Sequence, residues 1–461
     1  MSLVLPPDVA RISRLRFNAL AGYSRKPSTE LFAGEISWYE HKRAPVLGAL
    51  IIVFTDEDFG GIIMGRDEGR RMRCVDVVGW YDSPEQAEIG LIARLENWAK
   101  RPLADMEQGG RQYPFVDMFT PIVQPAKMST AFARLLNAEG FSCGRGIIEA
   151  MMPYFEDVDS NFVEQFQSTG FDSRIWELYL FALLTEGGYV FDRQFQAPDF
   201  FCNGISQQIF VEAVTVNPTR NGNIITEPPV PEDKQELVAY FKQYMPIKWG
   251  SALTGKLRKE YWALPHVQGK PIVFAIQDFH ADRSMTFTNS TLSPYLYGLE
   301  FAAYYDADGN LQVSGTPIQE HRWGDKCIES GFFRLPNSEM ISGVIQNPTA
   351  TISKFNRMGH LAGFGSKAVR MLKAGTAYDP DPNAALPREY LQDVNSEGYR
   401  ETWSEGLNIF HNPNARYPLD NSFFPQCMNH RLINNQVVHN IPEFHPFTAE
   451  TFILSPKRTE N

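Results

Sequence analysis

The stretch KPIVFAIQDF (270–279) constrains this chain more than any other. It is an almost continuous apolar run of strand length. A strand with one wet face alternates apolar and polar side chains, so a run without alternation belongs in a sheet centre covered on both faces. Helices supply such cover, and a mixed α/β core follows. The preceding segments fit this. They read as a helix over 155–187 broken at Gly170, strands over 189–195, 198–203 and 208–216, and a Pro-rich loop over 217–231. Helices over 232–245 and 250–263 then lead into the strand over 271–278.

Two regions flank this core. Residues 1–130 carry alternating stretches such as ALIIVFT and RCVDVVGWY, which read as antiparallel strands. SPEQAEIGLIARLENWAK follows as a helix capped by Ser83. This is an N-terminal β-rich α+β domain, ending in a Gln-, Gly- and Pro-rich linker at 108–125. The core spans 131–285. Residues 286–461, with many turn signals and short apolar runs, read as a C-terminal α+β region of unknown role.

The start lacks a long apolar run, and no stretch of about 18 apolar residues occurs, so neither a leader nor a membrane span is expected. The five cysteines are scattered without a CxxC pair, which suits a reducing cytoplasm and not a disulfide framework. The net charge is −11, so contact with nucleic acid must run through local patches. Residues 242–270 hold Lys242, Lys248, Lys256, Arg258, Lys259 and Lys270 against one acid, Glu260. Residues 351–376 hold Lys354, Arg357, Lys367, Arg370 and Lys373 and no acid. Solvated helix faces are the plain alternative.

Three acids need an explanation. Glu177 lies in WELYLFALL (176–184), where most neighbours are apolar and a carboxylate needs a partner. Asp199 follows Pro198 at the start of a strand. Glu212 sits inside FVEAV. Asp199 and Glu212 oppose each other if the loop between their strands is wide, about 203–208. Opposed side chains have Cβ atoms about 5 Å apart, close enough to share one cation. Asn203-Gly204 is also a two-residue hairpin signal. A tight turn there pairs Asp199 with Gln208 and leaves Glu212 roughly 13 Å away. The residue pattern leaves both loops open.

Glu177, Pro198-Asp199 and Glu212 together resemble the PD-(D/E)XK nuclease superfamily, over about 172–280. The resemblance implies a restriction-endonuclease-like core and magnesium-dependent hydrolysis of phosphodiester bonds, with manganese as a substitute and DNA favoured over RNA. It makes Asp199, Glu212 and Glu177 metal ligands. The family's lysine two residues after the second acid is absent, because Val214 stands there. Some members supply it from the following helix, where Lys256 and Lys259 share a face. Lys256, between Gly255 and Leu257, is the preferred catalytic substitute. Lys248, Lys259, Lys354 and Arg357 are the expected contacts to the nucleic-acid backbone. A nuclease-like fold without catalysis, acting as a nucleic-acid or protein-binding module, is the alternative. A third reading makes these acids ordinary edge residues. His411-Asn412 lacks the ββα surroundings of an HNH site, and no P-loop, GxSxG or HExxH is present.

Overall fold

The computed structural model describes residues 4–109, 116–157, 160–192, 194–221 and 224–455. Residues 110–115 of the expected linker, residue 193 of the expected strand 189–195 and residues 222–223 of the Pro-rich loop lie outside the described residues.

The N-terminal strands β1 (Val9–Ile12), β2 (Ala33–His41), β3 (Val46–Val53), β4 (Phe59–Arg66) and β5 (Met72–Tyr81) form an antiparallel sheet in chain order. Helix α1 (Pro84–Trp98) covers one face with Leu91, Leu95 and Trp98. Ser83 caps it, its hydroxyl accepting from Gln86 N–H.

The second sheet has eight strands: β6 (Val190–Asp192), β7 (Phe200–Asn203), β8 (Gln208–Val216), β9 (Ile272–Asp278), β10 (Gly343–Gln346), β11 (Asn408–His411), β12 (Met428–Ile433) and β13 (Gln436–Asn440). They lie side by side in that order. β6, β7 and β8 form an antiparallel meander, while β9 runs parallel to both β8 and β10. Every residue of β9 is buried, which explains its apolar run. Val273 and Ala275 face a core that includes helix α2 (Phe171–Glu186). Ile272, Phe274 and Ile276 face a second core against the helices that follow β8. Trp176 of α2 ties the layers together by donating its indole N–H to the Ala275 carbonyl at 2.9 Å.

Three expectations change. The helix before β9 is not split near 246–249. Helix α3 (Lys234–Ala239), a π-helical turn (Tyr240–Tyr244) and helix α4 (Met245–Leu257) run on without a gap. Pro246 lies inside this run, where it has no N–H to donate, and the wider π-helical turn stands just before it. Gly250 is a packing residue and not a helix start, since a Cβ there would strike Tyr295 and Ile328. The boundary expected at 285 is crossed by the sheet, because β10 to β13 come from the later region and extend β9. The basic segment 351–376 is largely internal. On helix α5 (Ile352–Leu361), Lys354 is 0% and Arg357 1% exposed, and Lys373 is likewise 0%. All three surround the buried Glu401 carboxylate. Side chains so enclosed do not reach a phosphate backbone, so Lys354 and Arg357 are corrected from expected nucleic-acid contacts to structural ion pairs.

Candidate active site

The site forms where β7 stops and β8 continues. Phe200 pairs with Val211, Phe201 with Phe210, Cys202 with Ile209 and Asn203 with Gln208. This register is set by apolar partners on both faces. It makes the loop Gly204–Gln207, closed by the Gly204 N–H donating to the Gln207 carbonyl at 3.0 Å. Of the two loops left open by the sequence, this is the wide one. Asp199 therefore falls opposite Glu212. The Asp199 N–H donates to Glu212 Oε2 at 3.2 Å, and the Ala213 N–H donates to Asp199 Oδ2 at 2.7 Å.

Alternation along β8 turns Phe210, Glu212, Val214 and Val216 towards α4. Val214 is buried there and offers no charge. The charge comes instead from the helix packed on that face. Lys248, Ala252 and Lys256 recur at four-residue steps on α4 and so share one face. Lys256 Nζ donates to Glu212 Oε1. Glu212 is only 3% exposed, so this ammonium meets a largely desolvated carboxylate. Tyr261, which the sequence did not single out, donates its hydroxyl to the same oxygen at 2.5 Å. It enters from the short turn Tyr261–Ala263, reached through Glu260 in the left-handed region at φ 50°. Nothing in the local sequence signals that entry angle.

Glu177 is not brought onto Glu212. Arg174, one helical turn earlier on α2, grips both its oxygens at 2.8 and 2.9 Å. Glu177 still faces the cleft. One chamber of about 380 Å³ is lined by Gln196, Ala197, Asp199, Glu212, Lys259 and Tyr261, with Lys256. A second, of about 300 Å³, is lined by Ser173, Glu177, Thr215 and Asn217 among others, again with Asp199 and Lys256. The two chambers thus meet at Asp199 and Lys256. Lys259 reaches the first chamber. Lys248 lies beside the second, donating to the Asn217 carbonyl at 2.7 Å and to Thr219 Oγ1 at 3.1 Å.

Negative charge crowds around Asp199. Burial first, then Glu212 and Glu177, raises the Asp199 carboxyl to about 7, against a smaller opposing pull from Lys256. Burial also raises Glu177, with Arg174 opposing. Burial and the neighbouring Glu212 push the Tyr261 hydroxyl up, so it remains a donor. Among the described residues, no group of three His, Cys, Asp or Glu side chains is placed to hold a metal ion by itself. The donor set does fit a cation that takes one or two carboxylates and fills its other positions with water and phosphate, as magnesium does. Asp199 and Glu212 could supply that pair of hard oxygen donors. Glu177, expected as a third ligand, is committed to Arg174.

No family model, curated protein or solved structure matches this chain. No helix among the described residues is long and apolar enough to cross a membrane.

Proposed function

We propose that this protein is a metal-dependent phosphodiesterase, a nuclease of PD-(D/E)XK type that favours DNA over RNA. The observation that carries this is the convergence of Asp199, Glu212 and Lys256, with Asp199 and Lys256 lining both chambers. The element order supports it: a helix bearing Glu177, a three-strand meander bearing Asp199 and Glu212, a helix bearing Lys256, and a parallel strand.

Asp199 and Glu212 would hold a divalent cation, Mg²⁺ or Mn²⁺. Such an ion supplies charge neutralisation at a phosphate oxygen and acidifies a water. Lys256 takes the place of the lysine missing at Val214. It orients the attacking water and offsets negative charge that grows on the phosphate. Tyr261 holds the Glu212 carboxylate, and Arg174 holds Glu177 at the cleft wall. A nuclease-like binding module without cleavage is the alternative. The observation favouring it is that Lys256 and Tyr261 both occupy Glu212 Oε1.

Incubation of the protein with plasmid, linear and single-stranded DNA and with RNA, in Mg²⁺, Mn²⁺ or EDTA, tests the proposal. Cleavage is expected only with metal and is lost in Asp199→Ala and Glu212→Ala. Cleavage that survives both substitutions refutes the site. Binding without cleavage in any metal selects the alternative.

A further inference from the structure

Pairing between β7 and β8 ends at Phe200 and Val211, whereas β8 stays paired with β9 as far as Val216. Beyond Val211, one edge of β8 therefore has no strand beside it among the described residues. The Ala213 N–H points to that edge, because it meets Asp199. By the two-residue repeat, the backbone of Thr215 points the same way. Polar side chains flank it: Ser173 Oγ lies 3.2 Å from Thr215 Oγ1, and Asn217 Nδ2 donates to Thr215 Oγ1 at 3.1 Å. Lys248 uses two of its three donors here and keeps one.

The two walls of the cleft differ in charge. The α4 wall carries Lys248 and Lys256, about 12 Å apart along the axis, followed by Lys259. The α2 wall carries Ser173 and Glu177, and the Glu177 charge is met by Arg174, which also binds Gln165, so this wall offers no free cation among the described residues. A duplex brings two phosphate backbones and needs cations for both. The burial of Lys354, Arg357 and Lys373 leaves only Lys367 and Arg370 exposed in one of the two basic segments that would have supplied them.

We propose that the cleft takes a single nucleic-acid strand, laid along the open edge of β8. Ser173, Thr215, Asn217 and Lys248 hold a phosphate that flanks the one at Asp199 and Lys256. This rests on the phosphodiesterase function proposed above. The substrate class becomes single-stranded nucleic acid, or a duplex end or flap opened into one strand.

Fluorescence anisotropy with labelled 12-mers tests it: single-stranded DNA, the same DNA as a duplex, and single-stranded RNA, each with Ca²⁺ and with EDTA. A single strand should bind at least about tenfold more tightly than the duplex, and the two single strands show which sugar is preferred. Thr215→Val with Asn217→Ala should weaken single-strand binding about three- to tenfold. Lys248→Gln should reduce the salt slope by about 0.7, the value for one phosphate contact on a single strand. Thermal melting of each variant separates these effects from unfolding. Equal or tighter duplex binding, or single-strand binding indifferent to all three substitutions, overturns the single-strand proposal and leaves the nuclease function standing. No binding to any of the three overturns both.

Discussion

Asp199→Asn isolates the charge conflict in the site. The wild-type carboxyl titrates near 7 in the folded protein against an ordinary 3.8. Between these values the folded state keeps a proton that the unfolded state has lost, so stability falls as pH rises through that window. Below about 4 both states are protonated and the difference vanishes. Above about 7 the whole penalty is present. Its upper limit is about 4 kcal/mol at 1.36 kcal/mol per pKa unit, and solvent at the cleft mouth screens this to about 2 kcal/mol. Asparagine never ionises, and its side-chain oxygen still accepts from the Ala213 N–H. The variant should therefore be more stable than wild type in EDTA, with a gap that opens from about pH 4 to about pH 7 and then levels off. For a chain of this size, about 1 kcal/mol moves Tm by about 1 °C, so the gap at pH 8 is about 2 °C. Differential scanning fluorimetry in EDTA reads it directly. Mg²⁺ at pH 8 should raise the wild-type Tm and leave the variant unchanged. A gap that is flat with pH, or a variant less stable than wild type at pH 8, refutes the electrostatic account of the site.

Lys256→Met should lower metal-dependent cleavage about 100- to 1,000-fold, as loss of a charge-stabilising donor does, without weakening cation binding; single-turnover cleavage and calorimetry separate the two. Tyr261→Phe should cost about tenfold in cleavage, the worth of a hydrogen bond to a charged group. Glu401→Gln strands Lys354 and Arg357 in the interior, leaves Lys373 only Glu405, and should cost about 3–5 kcal/mol in denaturant unfolding. Burial alone would raise the Glu401 carboxyl, but Arg357, Lys354 and Lys373 outweigh it and hold it well below its ordinary value. Its contribution is present above about pH 4.3 and is lost as pH falls through the lower folded value. Acid unfolding should therefore begin at higher pH in any variant that weakens this cluster.

The sheet that carries the site was legible because its signals are local. Unbroken apolarity marks β9, and a strand-length apolar run marks β8, whose observed limits are those expected. Lys256 was legible from helix periodicity, although the working cue is its four-residue step from Ala252 and not its neighbours Gly255 and Leu257. The loop between Asp199 and Glu212 looked undecided because Asn203-Gly204 was weighed alone. Its answer lay in the strands: only the wide loop sets Phe201 against Phe210 and Phe200 against Val211, and core pairing outweighs a turn preference. The segment 351–376 misled because its cations were counted without their distant partners Glu401 and Glu405. The span of the sheet past residue 285 was hidden for a related reason. Strands of four residues such as β10 and β11 have too little pattern to name their neighbours. Tyr261 depends on one left-handed residue, Glu260, and could not be placed before the fold was known.

Electron paramagnetic resonance of Mn²⁺ titrated into the metal-free protein tests the central claim most directly. One ion should bind per chain, with affinity falling at least about tenfold in both Asp199→Ala and Glu212→Ala, as removal of one of two carboxylate ligands requires. Mn²⁺ binding that is absent from the wild-type protein, or unchanged in both variants, contradicts a cation site built on Asp199 and Glu212.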